Sequence, residues 1–179
     1  MRFLILVTVC VLVIASAAQG SVSVRFGKDY FHGDLYDGCN SKPPSTNLFG
    51  LVVHLRSFPL FDIDFGGEYS SKDFIADCKG QGYATSLKHY SVSADAGLDI
   101  LPLGVVKFYV GGGLSYDWFN KSGVPDQEGT DSSFGIQAIT GIASTLPGPV
   151  NGYIEVRYRW LGGDVKVNTS SAYLGLELG

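Results

Sequence analysis

About eight alternating segments, joined by two different kinds of connection, constrain this chain more than anything else in it. Ile63, Phe65, Gly67 and Tyr69 interleave with Asp62, Asp64, Gly66 and Glu68, and Ile154, Val156, Tyr158 and Trp160 interleave with Glu155, Arg157 and Arg159. A strict period of two puts one kind of side chain on each face of an extended strand. Every second connection is short and carries proline: Phe58-Pro59-Leu60, Leu101-Pro102-Leu103-Gly104 and Leu146-Pro147-Gly148-Pro149. The others are mostly longer and rich in Gly, Asp, Asn, Ser and Lys. Short turns at one end and long polar loops at the other predict an all-β fold, an eight-stranded antiparallel up-and-down transmembrane β-barrel. The predicted strands are Ser21–His32, Leu48–Phe58, Asp62–Asp73, Ser86–Ile100, Val105–Phe119, Ser132–Thr145, Gly152–Leu161 and Lys166–Leu178. The long connections are then Gly33–Asn47, Phe74–Thr85, Asn120–Asp131 and Gly162–Val165. An even strand number brings first and last strands together to close the ring.

The chain, 179 residues with 17% charged side chains, has room for one domain and fewer charges than the roughly 25% of soluble domains. Beyond the leader no apolar run approaches the ~18–20 residues of a spanning helix, so the apolar content is spread over strands. A net charge of −4 leaves no basic footprint for nucleic acid. Residues 1–20 read as a secretory signal: Arg2 supplies the positive region, Phe3 to Ala15 the apolar stretch, and Ser16, Ala17, Ala18 and Gly20 the small residues before cleavage. Residues 21–179 form the barrel domain. Cys10 falls in the leader, which leaves Cys39 and Cys78, one in each of the first two long connections. Those loops are neighbours at one end of an up-and-down barrel, so a disulfide between them is expected in an exported chain.

Alternation alone does not say which face points inward. The polar face carries Arg25, His54, Arg56, Asp62, Asp64, Glu68, Asp95, Asp99, Lys107, Glu155, Arg157, Arg159 and Glu177, with glycines such as Gly97, Gly113, Gly141 and Gly175 between them. Small residues among bulky ionic ones suit the crowded interior of a narrow barrel. A lipocalin-like soluble barrel, with the apolar face around a ligand, is the inverse arrangement. Hairpin symmetry sets Arg56 opposite Asp62, His54 opposite Asp64, and Asp99 opposite Lys107. Tyr30, Phe49, Tyr90, Trp118, Phe134 and Trp160, with Phe74 and Phe119, fall near the loop ends of strands; Phe58 and Phe61 fall at the turn ends. Aromatic rings collect at the two membrane–water boundaries, so these are read as girdles.

On these residues the chain resembles the small eight-stranded outer-membrane β-barrel proteins of Gram-negative bacteria, of the OmpA/OmpX kind, along its whole mature length. The stretch Tyr153-Ile154-Glu155-Val156-Arg157-Tyr158-Arg159-Trp160 looks like the penultimate strand of the generic outer-membrane barrel domain. The resemblance implies residence in the outer membrane after export through the periplasm, contact with outer-membrane lipid and lipopolysaccharide, and handling by the barrel-insertion machinery. The aromatic residue such chains carry at their end is absent from Tyr173-Leu174-Gly175-Leu176-Glu177-Leu178-Gly179.

No residues are assigned to catalysis, cofactor or metal binding. A lipid A deacylase-like barrel needs a lipid-facing His–Ser pair; parity turns the candidate His89 and Ser91 inward. His32 and His54 lack metal-ligand spacing, and Gly111-Gly112-Gly113 lies inside a strand with no helix after it. Asp34, Asp37, Asp126, Glu128 and Asp131 make the long loops acidic without ordered calcium-ligand spacing. The reading is a non-enzymatic surface protein that takes a ligand through its exposed loops, in an adhesion-type role. The alternatives are a narrow pore, a lipid A-modifying barrel and a soluble binding barrel.

Overall fold

The computed structural model describes residues 20–33, 35–39, 45–55, 61–103, 105–144, 150–163, 165 and 167–178. Residues 1–19 of the leader, Asp34, Arg56, Phe58 and the proline turns near 59 and 147 lie outside the described residues. Eight strands follow one another: β1 (Ser21–Gly33), β2 (Thr46–Leu55), β3 (Asp62–Cys78), β4 (Gln81–Leu103), β5 (Val106–Ser122), β6 (Gly129–Ser144), β7 (Val150–Leu161) and β8 (Val167–Leu178). Each pairs antiparallel with its sequence neighbours, and β8 pairs with β1 from Val22↔Leu178 to Gly33↔Val167, closing the barrel.

Register fixes the tilt. From Lys28 the partners run through Asn47, Ser71, Lys88 and Asn120 to Thr130 on β6; the other way they run through Ala172 and Val156 to Thr140 on the same strand. The two routes end ten residues apart, a stagger that inclines the strands by about 40°. A hydrogen-bonded row therefore climbs toward the loop end by about 3 Å per strand.

Burial is inside-out. Arg25, Arg157 and Arg159 are at most 1% exposed, whereas Phe26, Ile136 and Leu174 are 53%, 59% and 59% exposed. A soluble ligand-binding barrel would show the opposite, so the apolar face is the outer wall. Inward glycines make room for rings: a Cβ on Gly175 would enter the Tyr153 ring, and one on Gly141 the Tyr109 ring.

Three expectations need correction. The connection Phe74–Thr85 is mostly strand, because β3 and β4 continue past the wall and pair as far as Cys78↔Gln81. Only Lys79 and Gly80 turn, at φ 56° and 82°, the positive angles of a tight hairpin turn. In the second short turn Asp99 faces Tyr109, not Lys107, because an irregularity between Asp99 and Leu101 shifts the register to Pro102↔Lys107. Phe119 is 0% exposed: it shares the inward parity of Asp117 and packs with Phe31, Leu87 and Val167, and Phe74 leans on the same cluster. Neither belongs to a girdle.

Candidate functional site

The lumen is filled in tiers from the turn end to the loop end. At the turn end His54 Nδ1 lies 2.7 Å from Asp64 Oδ1, its opposite residue, and His54 Nε2 lies 2.8 Å from Ser23 Oγ. Lys107 Nζ reaches Asp99 at 3.0 Å and Asp62 at 3.9 Å, so the pair read from hairpin symmetry forms diagonally across the shifted register. Glu177 accepts from Ser21 across the seam. The Arg56–Asp62 pairing lies outside the described residues. A recess of about 50 Å³ opens among these groups.

Three arginines from two adjacent regions of the ring meet in the middle. Arg157 Nε donates to Glu155 at 2.6 Å and its Nη1 to Asp95 at 2.9 Å. Arg25 lies 3.4 Å from Glu155 and 3.5 Å from Glu68, and its Nε donates to the Tyr153 hydroxyl at 2.9 Å. Arg159 bridges Glu68, Gln137 and Asp117. Gln137 also donates to Asp95, and Tyr109 donates to Glu155. The Tyr173 ring lies 5.5 Å from the Arg25 guanidinium and 5.7 Å from that of Arg157. Charges taken out of water are tolerable only when paired in this way.

Above them His89 sits between two carboxylates, 3.0 Å from Asp29 and 2.8 Å from Asp117. Ser70 and Ser171 donate to Asp29, and Ser115 donates to Asp117. Phe119 stacks parallel on the imidazole with centroids 4.6 Å apart, and Phe31 meets it edge-on. His89 and Ser91 thus both face inward, and the histidine's two nitrogens are engaged by aspartates rather than by the serine. Outside, His32 Nε2 lies 2.7 Å from Ser170 Oγ and stacks on Tyr158, a contact across β1, β8 and β7 that sequence spacing does not reveal.

A lid of apolar side chains closes the loop end. Leu35 and Tyr36, from the first long connection, are buried against Phe31, Ala76, Leu87, Phe119, Val124, Val165 and Val167. Burial pushes the Tyr36 phenol above its usual range. Cys39 and Cys78 are joined by a disulfide that ties this segment to the end of β3. Lys121 Nζ donates to the Leu35 carbonyl at 3.1 Å and lies 5.6 Å from the Tyr36 ring centroid. Asp37 N–H donates to the Gln127 side-chain oxygen at 2.7 Å, and Gln127 Nε2 returns a bond to the Asp37 carbonyl at 2.9 Å. A cleft of about 390 Å³ above the lid is bordered by Asp37, Asp126, Glu128 and Asp131, with Lys121 paired to Asp131 at 2.5 Å.

No family profile matches the sequence, and no curated protein matches it. Solved structures do. Neisserial surface protein A is 17% identical, with a TM-score of 0.71 over 89% of this chain and 96% of that one. Ail, the attachment invasion locus protein of Yersinia pestis, is 15% identical at a TM-score of 0.62, over 89% and 96%. The N-terminal β-barrel domain of Pseudomonas aeruginosa OprF is 12% identical at a TM-score of 0.55, over 88% and 97%. The chain has the fold of an eight-stranded outer-membrane β-barrel.

On the outer wall of this outer-membrane-type barrel, Tyr30, Phe49, Tyr90, Phe134 and Trp160 are 43–55% exposed and face outward, and Trp118 is half-buried beside Tyr116. With the climb per strand included, Tyr30, Tyr90, Trp118, Phe134 and Trp160 fall within one narrow band near the loop end, and Phe49 slightly below it. Tyr69, Tyr116 and Tyr158 complete the band. Phe61 faces outward at the turn end, 37% exposed; Phe58 is outside the described residues.

Proposed function

We propose that this chain is an integral outer-membrane protein, exported by its 1–20 leader, that is non-enzymatic and works through its exposed loop end as a surface-interaction protein. The observation that carries the reading is the closed lumen. An arginine–carboxylate tier fills its middle and an apolar lid seals its mouth, so the barrel wall serves as an anchor and the function moves to the loops. The same packing weighs against the narrow pore. The stapled hairpin and lid form a stiff platform, which lowers the ordering cost of binding. Its described side chains include Asp37, Asp73, Asp77, Asp126, Glu128 and Asp131 against Lys72, Lys79 and Lys121, so a cationic surface is the complementary ligand. The name of one structural neighbour, an attachment invasion locus protein, supports a surface role of this kind. The barrel-insertion machinery and outer-membrane lipid are the partners that residence in that membrane requires.

Fractionation with heat-modifiability tests residence: outer-membrane recovery and a mobility difference between boiled and unboiled samples are expected. Planar-bilayer recordings test the anchor: silence is expected, and steady unitary openings would overturn it.

A further inference from the structure

The cleft of about 390 Å³ above the lid draws its walls from three separate connections between strands. Leu35, Val165 and Val167, each at most 5% exposed, form an apolar floor. Asp37, Asp126, Glu128 and Asp131 stand around it, and Lys121 is the cation among the described lining residues. Lys121 is already engaged: its ammonium pairs with Asp131 and donates to the Leu35 carbonyl. Glu128 accepts from the Gly123 N–H at 2.9 Å. The carboxylates of Asp37 and Asp126 meet no partner among the described residues.

Like charges on one rim repel, and a loose loop would let them part. This rim is held. Gln127 exchanges two hydrogen bonds with the backbone of Asp37, and the Cys39–Cys78 bridge anchors the same segment to β3. A cleft of one sign over a low-dielectric floor focuses its field outward and concentrates a counter-ion there. A metal ion does not suit it, because no three His, Cys, Asp or Glu side chains among the described residues converge closely enough to hold one. The occupant has to be an extended organic cation that reaches separated carboxylates and lays an apolar stem on the floor. A guanidinium on its alkyl chain does both. Its planar fork presents donors in several directions, it sheds water more readily than an ammonium, and its stem packs on apolar surface.

We propose that this cleft seats an arginine side chain of a protein partner, with the guanidinium between Asp37 and Asp126 and the stem on Leu35, Val165 and Val167. The proposal deepens the reading of a cationic ligand at the loop end and rests on it. It turns a diffuse acidic platform into one anchoring socket, the kind of buried arginine contact that dominates an interface.

The test titrates the full barrel, isotope-labelled in lipid nanodiscs at low salt, with a short capped peptide carrying a central arginine, and with its lysine and citrulline versions. Amide shifts at Gln127 and Gly129 report the cleft; those at Lys79 and Gly80 report the hairpin tip. Saturable shifts are expected in the cleft with arginine, weaker ones with lysine and none with the neutral citrulline. Asp37→Asn with Asp126→Asn is expected to raise the dissociation constant about tenfold or more, through lost charge-assisted hydrogen bonds. Asparagine also tolerates the positive φ of 64° at Asp126. Asp73→Asn with Asp77→Asn, the same change of charge on the hairpin, is expected to cost about twofold through the general field. Equal losses in the two double variants, or shifts at the hairpin tip as large as those in the cleft, overturn the socket and leave the cationic-ligand reading standing. Equal binding of the lysine or citrulline peptide overturns the guanidinium assignment, and the wild-type barrel alone supplies that comparison if a variant fails its heat-modifiability check. No shift with arginine, together with no binding of the barrel to a polyarginine-coated surface, overturns both readings.

Discussion

Reduction of the Cys39–Cys78 bridge should destabilise the barrel by an amount that follows from chain entropy. The cysteines are 39 residues apart, so the bond closes a loop that includes all of β2 and all of β3. Constraining a loop of about 40 residues in the unfolded chain contributes about 4 kcal/mol in the loop-entropy treatment. With a urea slope of about 2 kcal/mol per molar, the unfolding midpoint should fall by about 2 M on reduction. Tyrosine and tryptophan fluorescence of the barrel in detergent, titrated with urea with and without a thiol reductant, reads the shift. Cys39→Ala with Cys78→Ala should reproduce the reduced midpoint under both conditions. The lid should also loosen, and limited proteolysis near Tyr36 should accelerate in the reduced form. Identical midpoints would refute the reasoning, since the bond would then restrain no freedom that the unfolded chain has to lose.

Phe119→Ala removes the ring stacked on His89 and the centre of the lid, and should cost about 3–5 kcal/mol in the same titration. Glu68→Gln leaves Arg25 and Arg159 short of a buried counter-charge; a loss of about 3–5 kcal/mol, or failure of the heat-resistant band to form, is expected. Leu174→Arg places a cation on the lipid face and should cost about 2–4 kcal/mol at midplane depth in bilayers, and much less in a soluble-barrel arrangement. The Tyr36 phenol is held neutral by burial, so its folded pKa exceeds its unfolded one. The stability tied to it is present below the unfolded value of about 10 and is lost as pH rises above it, and Tyr36→Phe should flatten that alkaline limb.

Strand existence was legible because alternation is a local property, and so was the His54–Asp64 pair, which faces across a short hairpin. Contacts that cross the lumen were not. Asp29 on β1 meets His89 on β4, and Arg25 on β1 meets Tyr153 on β7, only because the ring closes. The full lengths of β3 and β4 are not legible in the sequence, because the Lys79-Gly80 turn sits within a polar stretch of loop-like composition. Phe119 stands at the height of the girdle, but its parity with Asp117 turns it into the lumen. Leu35 and Tyr36 carried a signal, two adjacent apolar residues in a polar connection, which marks a loop that folds back on the barrel.

The bridge also does something across the wall. Over the described residues β1 pairs with β8 from Val22↔Leu178 to Gly33↔Val167, but with β2 only from Ser21↔His54 to Asp29↔Thr46. β2, the shortest of the described strands, is paired over nine residues with β1 and over nine with β3. Cys39 lies just before that slat and Cys78 at the end of the next one, so the bond spans it from side to side. It acts as a hoop on a cask, placed over the shortest of the described staves.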